Sequence, residues 1–228
     1  MDVGKLLRLA PVKEEYGPSL AQLLAPRIDS LPRIVLRITG VVVALVAIAV
    51  ILLALRLHDP TASSPPGSPV SFTTSYSRSM TKEPTPRGAL LLLEQHSSIG
   101  LEASFEISLL KLPAYSGQIS GLLPVLAQNM VTRLERTDPS FIPYTQGRTR
   151  INFVPGYTFT YQRTIAGRIF WGRDVLITPQ IQGDRQGLLI TMLTDPTPIL
   201  PVATKPVTPD SVGSVGVLFE PYERLHIH

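Results

Sequence analysis

Ser116–Arg136 reads SGQISGLLPVLAQNMVTRLER, and its apolar positions Ile119, Leu122, Leu123, Leu126, Met130 and Leu134 recur at intervals of three and four. That spacing lays them on one stripe of a helix. Pro124 is tolerated in a first turn, so the helix is predicted to begin near Ser120 or Gly121 and to end before Asp138-Pro139. A stripe of this kind needs a second layer to cover it.

Moving toward the C-terminus, four strand-like segments supply that layer: Arg148–Val154, Tyr157–Ile165, Ile169–Thr178 and Gly187–Leu193. Pro155-Gly156 reads as a turn, Ala166-Gly167 as a hairpin turn, and Gly183-Asp184 falls in the next loop. Tyr157, Phe159 and Tyr161 alternate with Thr158, Thr160 and Gln162, while Ile169, Trp171, Val175 and Ile177 share a face that Arg173 interrupts. Toward the N-terminus, Phe105, Ile107 and Leu109 alternate with Ser104, Glu106 and Ser108, the pattern of a strand with one buried face, and Pro113 ends it. The run ALLLLEQ after Gly88 is too short for periodicity to choose between strand and helix. Strand, long helix, then meander predicts an α+β fold in which an antiparallel sheet is covered by one long helix. Asp195–Asp210 is proline-rich with no core-forming run, and the final VGSVGVLFEPYERLHIH has the apolar residues to dock back.

Further out, residues 58–87 read HDPTASSPPGSPVSFTTSYSRSMTKEPTPR, a Pro/Ser/Thr-rich composition expected to act as a spacer that buries no core. Before it, Ile38–Leu55 runs ITGVVVALVAIAVILLAL without a charge between Arg37 and Arg56. At ~1.5 Å rise per residue it covers roughly 27 Å, so residues 34–57 are expected to form a single transmembrane helix ahead of the domain at 88–228. The tail at 1–33 carries Lys5, Arg8, Lys13, Arg27 and Arg33, and Arg37 follows; after the span only Arg56 and Arg78 precede Lys82. Basic residues are retained on the cytoplasmic side, which predicts an uncleaved signal anchor with a cytoplasmic N-terminus and an extracytoplasmic domain. The lipid bilayer is then the first partner. Gly40-x-x-x-Ala44 is a small-xxx-small pair of the kind that packs two spans, the one hint of a homodimer.

The chain has no cysteine, which removes disulfides, thiolate metal sites and cysteine nucleophiles. Its net charge of +4 is concentrated near the span, and no basic run with interleaved aromatics points to nucleic acid. His226 and His228 resemble a metal pair but sit at the last residues, where a solvated tail is the simpler account. His96 beside Ser97 and Ser98 has no nucleophile elbow around it, and Asp174 beside Arg173 points to the opposite face of its strand. No paired carboxylates or phosphate loop appear, so neither an enzyme nor a cofactor is expected.

The candidate binding site is the aromatic set Tyr157, Phe159, Tyr161 and Trp171, placed to line a groove between sheet and helix. Packed core is the competing reading of the same residues. From Phe105 to Leu193 the order of elements, with GRTRINFVPGYTFTYQ and GRDVLITPQ, resembles the PsbP-like domains of small actinobacterial envelope proteins. The resemblance implies a non-catalytic domain that binds or scaffolds at the cell envelope, with other envelope proteins as partners. The alternative is a carrier or sensor of a small apolar ligand held in that groove.

Overall fold

The computed structural model describes residues 41–49, 59–115, 117–179, 185–197 and 208–228. The chain divides into two units, Met1–His58 and Asp59–His228. In the first, residues 41–49 are helical, and Val41, Val42, Val43, Leu45, Val46 and Ile48 are each 51–62% exposed. Among the described residues no helix is long and apolar enough to cross a membrane. The basic tail, Gly40 and the remainder of the apolar run lie outside the described residues.

The second unit is α+β with antiparallel strands, in two sheets rather than one. Its elements are β1 (Thr61–Ser63), β2 (Phe72–Ser75), β3 (Thr81–Lys82), β4 (Ala89–Ser97), β5 (Gly100–Lys111), α1 (Ile119–Thr137), β6 (Ile142–Ile151), β7 (Val154–Ile165), β8 (Arg168–Ile177), β9 (Gln186–Thr194), α2 (Phe219–Glu223) and β10 (His226–Ile227). The large sheet has the order β3-β4-β5-β9-β8-β7-β6, and a small one has the order β1-β2-β10. After β5 the chain crosses by α1 to the far edge, and the meander β6 to β9 returns until β9 pairs with β5.

The period of two sorts the large sheet into two faces. On one, Leu123, Ala127 and Val131 of α1 pack onto Phe159, Tyr161 and Leu176. On the other, Leu91, Leu93, Phe105, Ile107, Val175, Ile177, Leu188, Ile190 and Met192 are buried beneath both ends of the domain. Ala62, Val70, Phe72 and Met80 cover this second face from the N-terminal side, and Val212, Leu218, Leu225 and Ile227 from the C-terminal side. The C-terminal segment docks as its composition suggested.

The spacer reading of residues 58–87 is corrected by this packing. From residue 59 the segment belongs to the folded unit, because β2 pairs with both β1 and β10. Its apolar residues are isolated among prolines and hydroxyls, yet each finds a partner distant in sequence.

The turn expected at Pro155-Gly156 is also displaced. The chain reverses at Asn152-Phe153, with φ of 46° and 69°. Asn tolerates the left-handed region, and Asn152 Nδ2 is held there by donating to Leu225 O at 2.7 Å and His226 Nδ1 at 2.9 Å. Gly156 instead lies inside β7 and serves close packing: a Cβ there would come within 2.7 Å of Ile177 Cδ1 and 2.9 Å of Leu176 O. The two-residue turn at Ala166-Gly167 forms where expected, with φ of 50° and 78°.

Candidate functional site

The hairpin turn at Ala166-Gly167 fixes the register of β7 against β8, and the register decides what the aromatic set can line. Tyr161 lies opposite Gly172 and Phe159 opposite Asp174, whereas Trp171 lies opposite Gln162 and Thr194. Residues directly opposite share a face. Phe159 and Tyr161 are therefore buried under α1 with Tyr157 half-buried beside them, while Trp171 packs half-buried against the other core. Three of the four come together and Trp171 does not. Beneath α1 the three are joined by Phe141, whose ring centroid is 4.9 Å from that of Tyr161. Gly172 makes room for this stack, since a Cβ there would lie 2.2 Å from Tyr161 Cε2.

A polar pair sits in the same layer. Tyr161 Oη donates to Asp174 Oδ1 at 3.1 Å, and Thr191 on the next strand also hydrogen-bonds this carboxyl. Burial pushes Asp174 up to about 7, opposed by the hydrogen bonds from Tyr161 and Thr191 and by the charge of Arg163. Burial, and then Asp174 itself, pushes the Tyr161 hydroxyl well above its usual range. One strand further, burial and the neighbouring Glu94 raise Glu106. Asp174 can hold a proton near neutral pH, but it lines neither of the described cavities. The arrangement is a buried, hydrogen-bonded proton site.

Arg173, on the opposite face as the alternation predicted, ties down the C-terminal segment. Its Nη1 donates to Val212 O and its Nε to Thr158 Oγ1, each at 3.1 Å, and its guanidinium lies 5.1 Å from the Tyr222 ring centroid. The terminal histidines also have structural partners: His226 Nδ1 accepts from Asn152, and His228 Nε2 lies 3.1 Å from Thr73 Oγ1. His96 Nε2 is 2.7 Å from Glu94 Oε2. Among the described residues no group of three or more metal-ligating side chains forms.

The open concavity lies elsewhere, between α1 and β6, in a cavity of about 220 Å³ lined by Gln128, Val131 and Glu135 on the helix and by Tyr144, Gln146 and Phe159 on the strands. Gln146 Nε2 donates to Gln128 Oε1 at 3.3 Å across it. Of the aromatic set only Phe159 reaches this cavity. The strand expected from Arg148 begins six residues earlier, at Ile142, and the added residues Pro143, Tyr144, Thr145 and Gln146 line this cavity. A second cavity, on the outer face of the small sheet, is lined by Thr61, Thr73, Ser75, Arg224 and His226.

No family model matches the chain, and no curated protein matches it. Among solved structures it is similar to cyanobacterial PsbP (CyanoP) from Synechocystis, with a TM-score of 0.49 and 9% identity over 75% of this chain and 94% of that one. It is also similar to LpqN of Mycobacterium tuberculosis, described as involved in cell envelope biogenesis, with a TM-score of 0.47 and 10% identity over 75% of this chain and 91% of that one. A third similar structure is the Ran-binding protein Mog1p of Saccharomyces cerevisiae, with a TM-score of 0.45 and 10% identity over 74% of this chain and 95% of that one.

Proposed function

We propose that the chain is a non-enzymatic interaction module at the cell envelope, held by one membrane helix over residues 34–57 with its N-terminus cytoplasmic and the unit Asp59–His228 outside. The observation that carries this reading is the helix at 41–49, whose six large apolar side chains are each more than half exposed. In water such a surface is unfavourable at roughly 25 cal/mol per Å², whereas in lipid it is the expected solvent-facing surface. The rival reading, a carrier of a small apolar ligand between sheet and helix, finds the layer beneath α1 filled by Leu123, Ala127, Phe159, Tyr161 and Leu176, each at 2% exposure or less, and is left with the cavity beside β6, whose lining includes Gln128, Glu135, Tyr144, Thr145 and Gln146.

The test is fractionation of cells expressing the full chain, followed by protease on spheroplasts. The full chain should remain with membranes after alkaline carbonate, and Leu45→Lys with Ile48→Lys should release it. Protease should then degrade Asp59–His228 and leave the tail. Full chain in the soluble fraction would remove the tether, and a protected domain would reverse the orientation.

A further inference from the structure

The two edges of the large sheet differ in how they meet solvent. β3 has only two residues, one of them Lys82, and Pro84 and Pro86 follow, a combination that blocks strand addition. β6 has ten residues. Its first half is closed: Pro143 lacks a donor, the register shifts between Pro143 and Gln146, and Asp210 hydrogen-bonds Thr145 and Thr160. Its second half is regular, with Gln146, Gly147, Arg148, Thr149 and Arg150 each opposite a residue of β7. Among the described residues no backbone hydrogen bond joins positions 146–150 to any element other than β7.

We propose that this open half of β6 docks an extended acidic segment of a partner protein, which adds to the sheet as a further strand. Strand addition draws its affinity from main-chain hydrogen bonds and its selectivity from alternate side chains. Three features of the edge specify the partner. Arg148 and Arg150 point to the same face, by their register with Tyr157 and Pro155, and neither forms an ion pair with a described residue. Carboxylates two residues apart on an incoming strand meet both. Gly147 offers room for close approach, because a Cβ there would touch nothing within 4 Å. At the hairpin tip beyond the strand, Phe153 is 93% exposed and offers one apolar contact at the end of the row.

The same charges argue against a second copy of this chain. Two β6 edges paired antiparallel about Arg148 or Thr149 set arginine opposite arginine, which destabilises a cross-strand pair. The proline-rich segment 198–207 of the chain itself contains no acidic residue to supply the pairing.

This inference rests on the interaction-module reading, but its test is separate from that of the tether. The full chain in detergent micelles is titrated with a fluorescein-labelled ten-residue peptide alternating Glu and Thr and ending in Leu, and anisotropy is read. Binding is expected to weaken at least tenfold with Arg148→Glu/Arg150→Glu, to weaken with added NaCl, and to be lost when two alternate Thr of the peptide become Pro. Hydrogen exchange at 146–150 should slow in the complex. Both arginines are exposed, so an unchanged melting temperature shows that the variant is folded. Absence of binding, binding indifferent to the arginine reversal, or equal binding of the proline peptide would each overturn the proposal. A chain retained in membranes that ignores the peptide fails here alone.

Discussion

The two faces of the large sheet are covered by different means. One is covered by α1, a continuous helix whose apolar stripe repeats every three or four residues, and its layer includes two titratable carboxyl groups: Asp174, with Tyr161 against it, and Glu106. The other is covered by two short chain segments from opposite ends of the domain, and its core is aliphatic and aromatic. A regular element announces its buried face in its own period. A cover assembled from single residues is visible only once its distant partners are known.

The comparison breaks first at Phe72, which is 1% exposed and lies on β2 between β1 and β10. Phe72→Ala should cost about 3–5 kcal/mol, comparable with the roughly 2–5 kcal/mol for Leu123→Ala under the helix. Urea unfolding of the two variants checks it. A cost below about 1 kcal/mol at Phe72 would return residues 59–87 to the status of a spacer.

The second difference is electrostatic. The carboxyl of Asp174 titrates at about 7 in the fold and near 3.8 when unfolded. Between those values the folded state binds more protons than the unfolded one, so stability falls as pH rises from about 4 to 7 and is then level. A shift of this size corresponds to at most about 4 kcal/mol, and Glu106, also raised, adds in the same direction. Asp174→Asn should flatten the profile and raise stability at pH 8 by roughly 2–3 kcal/mol. A melting temperature for the parent that is unchanged between pH 5 and pH 8 would contradict the upward shift that burial imposes on this carboxyl.

A smaller effect is expected at Gly172. An added methyl must displace the Tyr161 ring, which overpacking values put at about 1–3 kcal/mol. Gly147→Ala, by contrast, meets open space and should cost little in the same denaturation experiment.

What was legible follows the same division. The helix, Ile119–Thr137, was readable from its stripe, although its buried line runs through Leu122, Leu123, Ala127 and Val131 with Ile119, Leu126, Met130 and Leu134 half-buried beside it, and the hairpin was readable from Ala166-Gly167. Segments 59–87 were not, since Ala62, Val70, Phe72 and Met80 stand alone among prolines and hydroxyls. Trp171 was misplaced although its signal was present. A two-residue turn at Ala166-Gly167 makes Ile165 face Arg168, and counting outward puts Trp171 opposite Gln162, on the other face from Tyr161. Alternation read along each strand separately does not contain that step. The cavity beside β6 was hidden because it depends on β6 being an edge, a property of strand order rather than of local sequence.

The last prediction concerns the tie between hairpin tip and C-terminal cover, where two substitutions separate two costs. Asn152 adopts a φ of 46° and donates to Leu225 O and to His226 Nδ1. Asn152→Gly removes both hydrogen bonds while keeping the left-handed backbone accessible, and should cost about 1 kcal/mol. Asn152→Ala removes the same bonds and adds the strain of a left-handed alanine, roughly 1–2 kcal/mol more. If the bonds matter because they hold β10 in the small sheet, hydrogen exchange at His228, whose N–H donates to Ser71 O, should quicken in both variants alike. If only the turn matters, Asn152→Gly should match the parent chain in stability and in exchange. That result would leave β10 held by its pairing with β2 and by the burial of Ile227, and would make the second cover independent of the Asn152 hydrogen bonds.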